Sequence, residues 1–160
     1  MSNKIKITTT PPKGMKPIDV CRACAKLCRP YMKQKFMGPI YYANFMGILD
    51  EKCVLFALEK NEIVGFLQWK RYKRDKELLL LNKLAVRTDY LKNGIGTKLM
   101  NQFLEKYTEN KLIHLGVSKD NSVAISFYEK FGFRKSQSPK SDKVLEMIKL
   151  SPKFERFYDL

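Results

Sequence analysis

Residues 77–86, ELLLLNKLAV, constrain this chain more than any other stretch. The run is almost continuously apolar, and it leads toward two glycines, Gly94 and Gly96. A strand apolar on both faces must be covered on both, which places it in the middle of a sheet with helices on either side. The residues after the glycines supply a helix of that kind. Ile95, Leu99, Phe103 and Tyr107 recur at four-residue spacing and make an apolar stripe. Strand, glycine turn and amphipathic helix in that order predict an α/β domain.

The other segments fit around this unit. KIKITT at 4–9 predicts a first strand, and Pro11, Pro12, Gly14 and Pro17 a loop. A helix is predicted from near Asp19 to about Cys28, stopped by Pro30, and a second over 39–50, opened by Pro39. CVLFALEKNEIVGFLQWKRYK reads as two strands around a Lys60-Asn61 turn, followed by a basic turn, KRYKRDK. LIHLGV is a strand, SKDNSVAISFYEKFGF a helix ending near Gly132, and KVLEMIKL a late strand. The order β-α-α-β-β-β-α-β-α-β, without repeats or an evident linker, predicts one domain over 1–160. Its architecture is a mixed central β-sheet flanked by helices.

Charge bears on the partner. Lys and Arg number 31 against 16 Asp and Glu, a formal net charge of +15. That excess favours nucleic acid, an acidic protein or an anionic membrane surface, unless it is the background of a lysine-rich proteome. No run reaches the ~18 to 20 apolar residues of a membrane span. The first residues, MSNKIKITTTPPKG, lack the apolar core of a secretory signal. The expectation is a cytoplasmic protein with reduced cysteines and no membrane partner. Cys21, Cys24 and Cys28 share one helix face, and Cys53 is a candidate fourth ligand. Zinc knuckles sit in turns, not in a helix such as PIDVCRACAKLC, so buried thiols are expected and no metal.

A GxG pair alone is weak, since a tight strand–helix turn needs nothing more. At a helix start, however, free N–H groups and the positive dipole end form an anion site, and glycines clear its approach. Lys92 and Lys98 add charge, and a pyrophosphate is the natural guest. Neither GxGxxG nor GxxxxGK[ST] is present, which excludes the Rossmann and P-loop fingerprints.

Downstream, Asn121, Ala124, the Phe127-Tyr128 pair and Phe131-Gly132-Phe133 form a second pattern. With Leu84-Ala85-Val86 and Leu91-Lys92-Asn93-Gly94-Ile95-Gly96, the chain resembles the GNAT N-acetyltransferase superfamily. Motif A falls at about 78–107 and motif B at about 112–133, and the likeness extends over about 53–150. The first 50 residues fit by element order alone. The resemblance implies acetyl-CoA as cofactor, with Leu84, Ala85 and Val86 beside the pantetheine arm. It implies the amides from Lys92 through Asn93, Gly94, Ile95 and Gly96 to Thr97 on the pyrophosphate, and Asn121 on the cofactor arm. Tyr128 would protonate the departing thiolate. The family's Gln or Arg is Leu91 here, which puts the shaping of the phosphate loop in question.

The acceptor amine must be neutral to attack a thioester, and lysine, at pKa ~10.4, usually needs a base. The positions from which some family members project that base are Leu80 and Asn82. Leu80 is apolar, and Asn82 can only orient an amine or a water. His114, the one histidine, is the remaining candidate, acting through water or else packed in its strand. Glu59 and Glu62 flank the hairpin turn and read as solvated. An α-amine, at pKa ~7.7 to 8.0, would need no side-chain base. Lys70, Arg71, Lys73 and Arg74, with Arg22, Lys26, Arg29, Lys33 and Lys35, are candidate contacts to a polyanion such as tRNA or a modified DNA or RNA base. A protein N-terminus or lysine, and a non-catalytic CoA- and nucleic-acid-binding module, are the alternatives. A polyamine fits poorly with a cationic enzyme. A homodimer is left open.

Overall fold

The computed structural model describes residues 4–31, 45–47, 49, 51–107, 112–137 and 141–155. Its seven strands form one mixed sheet in the order β1-β2-β3-β4-β5-β7-β6. These are β1 (Lys6–Thr8), β2 (Val54–Glu59), β3 (Glu62–Arg71), β4 (Leu78–Val86), β5 (Leu112–Ser118), β6 (Arg134–Lys135) and β7 (Val144–Leu150). The helices are α1 (Pro17–Cys28), α2 (Ile95–Tyr107), α3 (Ser122–Lys130) and α4 (Pro152–Glu155). Two compact units make up the fold: Met1–Trp69 with Lys83–Phe103, and Lys70–Asn82 with Leu104–Leu160.

In the first unit, β1 and β2 are antiparallel, with Ile7 opposite Ala57. β2 and β3 form the predicted hairpin, with a register shift between Ala57 and Leu58. Its turn residues Lys60 and Asn61 both have positive φ, 47° and 67°. Two such residues give the turn whose twist matches the flanking strands, and asparagine tolerates that region well. Asn61 also accepts from the Lys13 amide at 2.9 Å, tying down the proline-rich loop. α1 opens with Pro17 in its first turn and buries Val20, Cys21, Cys24, Leu27 and Cys28. The three thiols on one face are therefore core, and Cys53 is buried too. Burial pushes the Cys21 thiol up to about 11, so it is a small apolar group here and not a nucleophile. Among the described residues no group of three or more His, Cys, Asp or Glu is gathered for a metal.

Gly65 of β3 lets α2 seat against the sheet. A Cβ there would stand 3.2 Å from both the Ala85 carbonyl and Ile95 Cγ2. Ile95, Leu99 and Phe103 are each 1% exposed or less, which confirms the predicted stripe. Such burial stabilises by roughly 1.5–3 kcal/mol per side chain. Phe103 packs on Trp69 at 5.2 Å between ring centroids.

In the second unit, the start of β4 runs parallel to β5, pairing Leu78, Leu79 and Leu80 with Leu112, Ile113 and His114. β5 and β7 are antiparallel along their whole length, from Leu112↔Leu150 to Ser118↔Val144. β6 adds two residues outside β7. Both β6 and α4 lie beyond the sequence expectations, being too short to carry a periodic signal. The basic turn is shorter than expected, because Lys70 and Arg71 belong to β3. Of the predicted helix at 39–50, residues 45–47 and 49 are helical and the remainder lies outside the described residues. Among the described residues no helix is long and apolar enough to cross a membrane.

Candidate functional site

In the first unit, β4 ends at Val86 and a 3₁₀ turn, Thr88–Tyr90, leads into the glycine loop. Gly94 has φ +74°, and its carbonyl accepts from the Lys98 amide at 3.0 Å, so it caps α2. The amides of Ile95, Gly96 and Thr97 thus fall in the first helical turn, where the helix offers no acceptor and its dipole is positive. A Cβ built on Gly94 would meet nothing within 4 Å, so the loop is open on that side. Lys92, which has φ +66°, is exposed, as are Asn93, Thr97 and Lys98. Leu84 is half-buried, and Ala85 and Val86 are buried. An open, cationic turn lined with amides suits a diphosphate.

Leu91 is 47% exposed and has no polar group with which to shape this loop. The preceding turn is held from the β2–β3 hairpin instead. Tyr90 donates its phenolic proton to Glu59. Arg87 donates to Asp89 at 2.7 Å and to Glu62 at 3.3 Å, and its guanidinium lies 4.5 Å from the centre of the Tyr90 ring. The Asp89 hydrogen bond is the main cause that raises the Arg87 pKa further. Glu59 is thus engaged rather than solvated, and Glu62 is both exposed and paired. The sequence carried no signal for these pairings, which join residues 25 and 31 positions apart.

The second unit holds the other motif. Asn121 caps α3, its Oδ1 accepting from the Ala124 amide at 3.1 Å. Tyr128 sits in the last turn of α3, with ring centroids 5.5 Å from Phe127 and 5.8 Å from Phe133. Burial pushes its phenol up to about 12. A phenol in that state keeps its proton at neutral pH and serves as a donor, not a base.

On β4 of the same unit, Asn82 is half-buried, two residues beyond Leu80. Leu80 is paired with His114, so Leu80, Asn82 and His114 share one sheet face. His114 is 8% exposed. Its Nε2 lies 2.9 Å from Tyr72 Oη, and its Nδ1 lies 3.7 Å from Glu146 Oε1. The candidate base therefore meets a phenol at Nε2. Of the basic residues, Lys70 is half-buried and Lys73 and Arg74 are exposed between β3 and β4. Arg71 donates to Tyr107 Oη at 3.0 Å, which takes part of its guanidinium away from any phosphate. Arg22 pairs with Asp19 at 3.3 Å, Lys26 and Arg29 are exposed, and Lys33 and Lys35 lie outside the described residues.

The profile of the Acetyltransferase (GNAT) family matches residues 22–133. An uncharacterized N-acetyltransferase of Methanocaldococcus jannaschii is 27% identical over 125 residues, covering 74% of this chain and 54% of that protein. The chain thus spans about half the length of that relative. A spermidine N(1)-acetyltransferase of Thermoplasma acidophilum is 31% identical over 121 residues, 72% of this chain and 70% of that one. The crystal structure of Ard1 from Thermoplasma volcanium superposes with a TM-score of 0.71 at 21% identity, over 91% of this chain and 96% of that chain.

Proposed function

The chain belongs to the GNAT acetyltransferase family, whose members use acetyl-CoA, and we propose that it is an N-acetyltransferase acting by direct transfer to an amine. The observation that carries this is the open, glycine-capped start of α2. Acetyl-CoA supplies an activated thioester. The amides of the first turn of α2, with Lys92 and Lys98, hold its pyrophosphate. The backbone of Leu84, Ala85 and Val86 offers hydrogen bonds to the pantetheine arm. Asn121, whose Oδ1 already serves α3, has its Nδ2 hydrogens to donate to the arm. Tyr128 gives a proton to the departing thiolate, a role that suits a phenol protonated at working pH.

The acceptor is an amine carried by a nucleic acid, either the aminoacyl end of a tRNA or a modified base. A net charge of +15 and the exposed Lys73 and Arg74 support this. The spermidine-acetylating relative favours a second acceptor class, a small polyamine, against which the charge of this chain works. A protein N-terminus or lysine is the third class.

The test combines calorimetric titration with acetyl-CoA and release of free CoA thiol on addition of aminoacyl-tRNA, spermidine or a peptide. Turnover on aminoacyl-tRNA that falls steeply with salt, and is weakened in Lys73→Ala/Arg74→Ala with acetyl-CoA affinity unchanged, supports the full proposal. Salt-insensitive turnover on spermidine or peptide alone overturns the nucleic-acid acceptor. Absence of acetyl-CoA binding overturns the enzyme.

A further inference from the structure

The sheet face that carries Leu80 and Asn82 holds a chain of three titratable side chains in the second unit. His114 stands at the Leu80↔His114 pair of β4 and β5. On the other side of β5, His114 faces Ile148 and Gly116 faces Glu146. Residues directly opposite share a face, and Gly116 is two residues from His114, so Glu146 is a diagonal neighbour of the imidazole. Its carboxylate comes within 3.7 Å of Nδ1. Tyr72, the first residue after β3, lays its ring against the imidazole at 5.7 Å between centroids and 29° between planes. Its hydroxyl lies 2.9 Å from Nε2. Side-chain exposure is 11% for His114 and 21% for Glu146, while Tyr72 is 37% exposed, so the phenol is the solvent end of the chain.

We propose that Tyr72, His114 and Glu146 form a proton relay that neutralises the acceptor amine, with Tyr72 touching the amine and Glu146 acting as a positioning residue. The proposal rests on the acetyltransferase reading and supplies the base that Leu80 and Asn82 cannot. Burial and the Glu146 charge both raise the Tyr72 pKa, which keeps a proton on the phenol to donate to Nε2. His114 then carries its own hydrogen on Nδ1, the nitrogen 3.7 Å from the carboxylate. Among the described residues, the groups on the side of the ring include Tyr72 from the β3–β4 loop, Leu80 and Asn82 from β4, and Ile148 and Glu146 from β7; along β5 its same-face neighbours are Leu112 and Gly116.

The step balances as a proton transfer. Tyr72 Oη takes a proton from the ammonium as its own passes to Nε2, leaving a neutral amine, a neutral phenol and an imidazolium beside Glu146. His114 later returns that proton to solvent by the same route. When the C–N bond forms and the C–S bond breaks, the nitrogen sheds a second proton to solvent, and Tyr128 protonates the thiolate and is itself reprotonated from solvent.

The experiment measures kcat/KM from pH 6 to 9.5 for the full chain and for Tyr72→Phe, His114→Gln and Glu146→Gln. Three acceptors are offered: a peptide α-amine, a peptide lysine and aminoacyl-tRNA. Thermal melts and acetyl-CoA titration serve as controls for folding and cofactor binding. Loss of a working base costs ~10² or more near neutral pH for an amine that is mostly protonated. Tyr72→Phe and His114→Gln should each show that loss on the peptide lysine and a much smaller one on the two α-amines, with acetyl-CoA affinity unchanged, and the double variant should be no worse than either single. The loss should shrink as pH approaches the pKa of the amine. A deficit equal at every pH overturns the relay and leaves a structural role, as does wild-type activity in Tyr72→Phe. Failure of the wild-type chain to acetylate any of the three amines, or spermidine offered beside them, overturns the acetyltransferase reading and the relay with it.

Discussion

Tyr31 donates its phenolic proton to the main-chain oxygen of Val86 across 2.9 Å, joining the turn after α1 to the last residue of β4. Val86 is also the last residue of the strip proposed to run beside the pantetheine arm. The phenol therefore occupies a carbonyl at the entrance to the glycine loop. A neutral hydrogen bond contributes ~0.5–1.5 kcal/mol, and Tyr31 is 52% exposed, which favours the low end. Tyr31→Phe should lower Tm by about 1–2 °C and raise KM for acetyl-CoA a few-fold. Differential scanning fluorimetry and initial rates check both. An unchanged KM would mean that the strand end is fixed without the phenol.

Gly94 allows two substitutions to be separated. Gly94→Ala forces an ordinary residue to φ +74°, a backbone cost of about 1–2 kcal/mol, but its methyl meets nothing nearby. Gly94→Glu adds a carboxylate at the loop proposed to hold the pyrophosphate. Both should fold, with acetyl-CoA affinity reduced modestly in the first and lost in the second. Equal affinities in calorimetry would show the loop to be a turn and no more.

Tyr128→Phe keeps the packing against Phe127 and Phe133 and removes one hydroxyl. kcat should fall by ~10² to 10⁴ with acetyl-CoA affinity nearly unchanged. The same variant bears on alkaline stability. The folded-state pKa, about 12, stands above the ordinary 10, so the native state holds the proton more tightly. That contribution is complete below pH 10 and fades as pH climbs through 12. Urea unfolding from pH 9 to 12 should show a steeper decline for the wild type than for Tyr128→Phe. Parallel curves would contradict the raised pKa of the phenol.

Tyr90→Phe releases the Glu59 carboxylate and frees the turn before the glycine loop. KM for acetyl-CoA should rise several-fold while KM for the acceptor stays constant. Arg87→Ala should do less to stability, since its partners Glu62 and Asp89 are 73% and 62% exposed, and such pairs contribute ~0–1 kcal/mol. A common change in both KM values would place the effect elsewhere than the phosphate loop.

The parts legible in the sequence were those with local signals. The period of Ile95, Leu99, Phe103 and Tyr107 fixed α2, and Lys60-Asn61 fixed a hairpin. Motif spacing placed Gly94 at a helix start and Tyr128 within a helix, and the structure has them there. Tyr72, Glu146, Tyr31 and the Tyr90–Glu59 pair were not legible. Each acquires its role from a residue 31 to 55 positions distant or across a strand register, and no periodicity records that. Arg71 shows the opposite error. A run of cations reads as one surface, yet its guanidinium is directed at Tyr107.

The two outer strands of the sheet bear on how copies of this protein behave in a crowded solution. β6 is Arg134 and Lys135, both exposed, and β1 presents an exposed Lys6. An open strand edge is a template for adding another strand, and short cationic edges are how aggregation by that route is blocked. A second copy approaching β6 edge-to-edge would set arginine and lysine against arginine and lysine. Fibril growth and runaway sheet extension are thereby discouraged by the charge of the edges themselves.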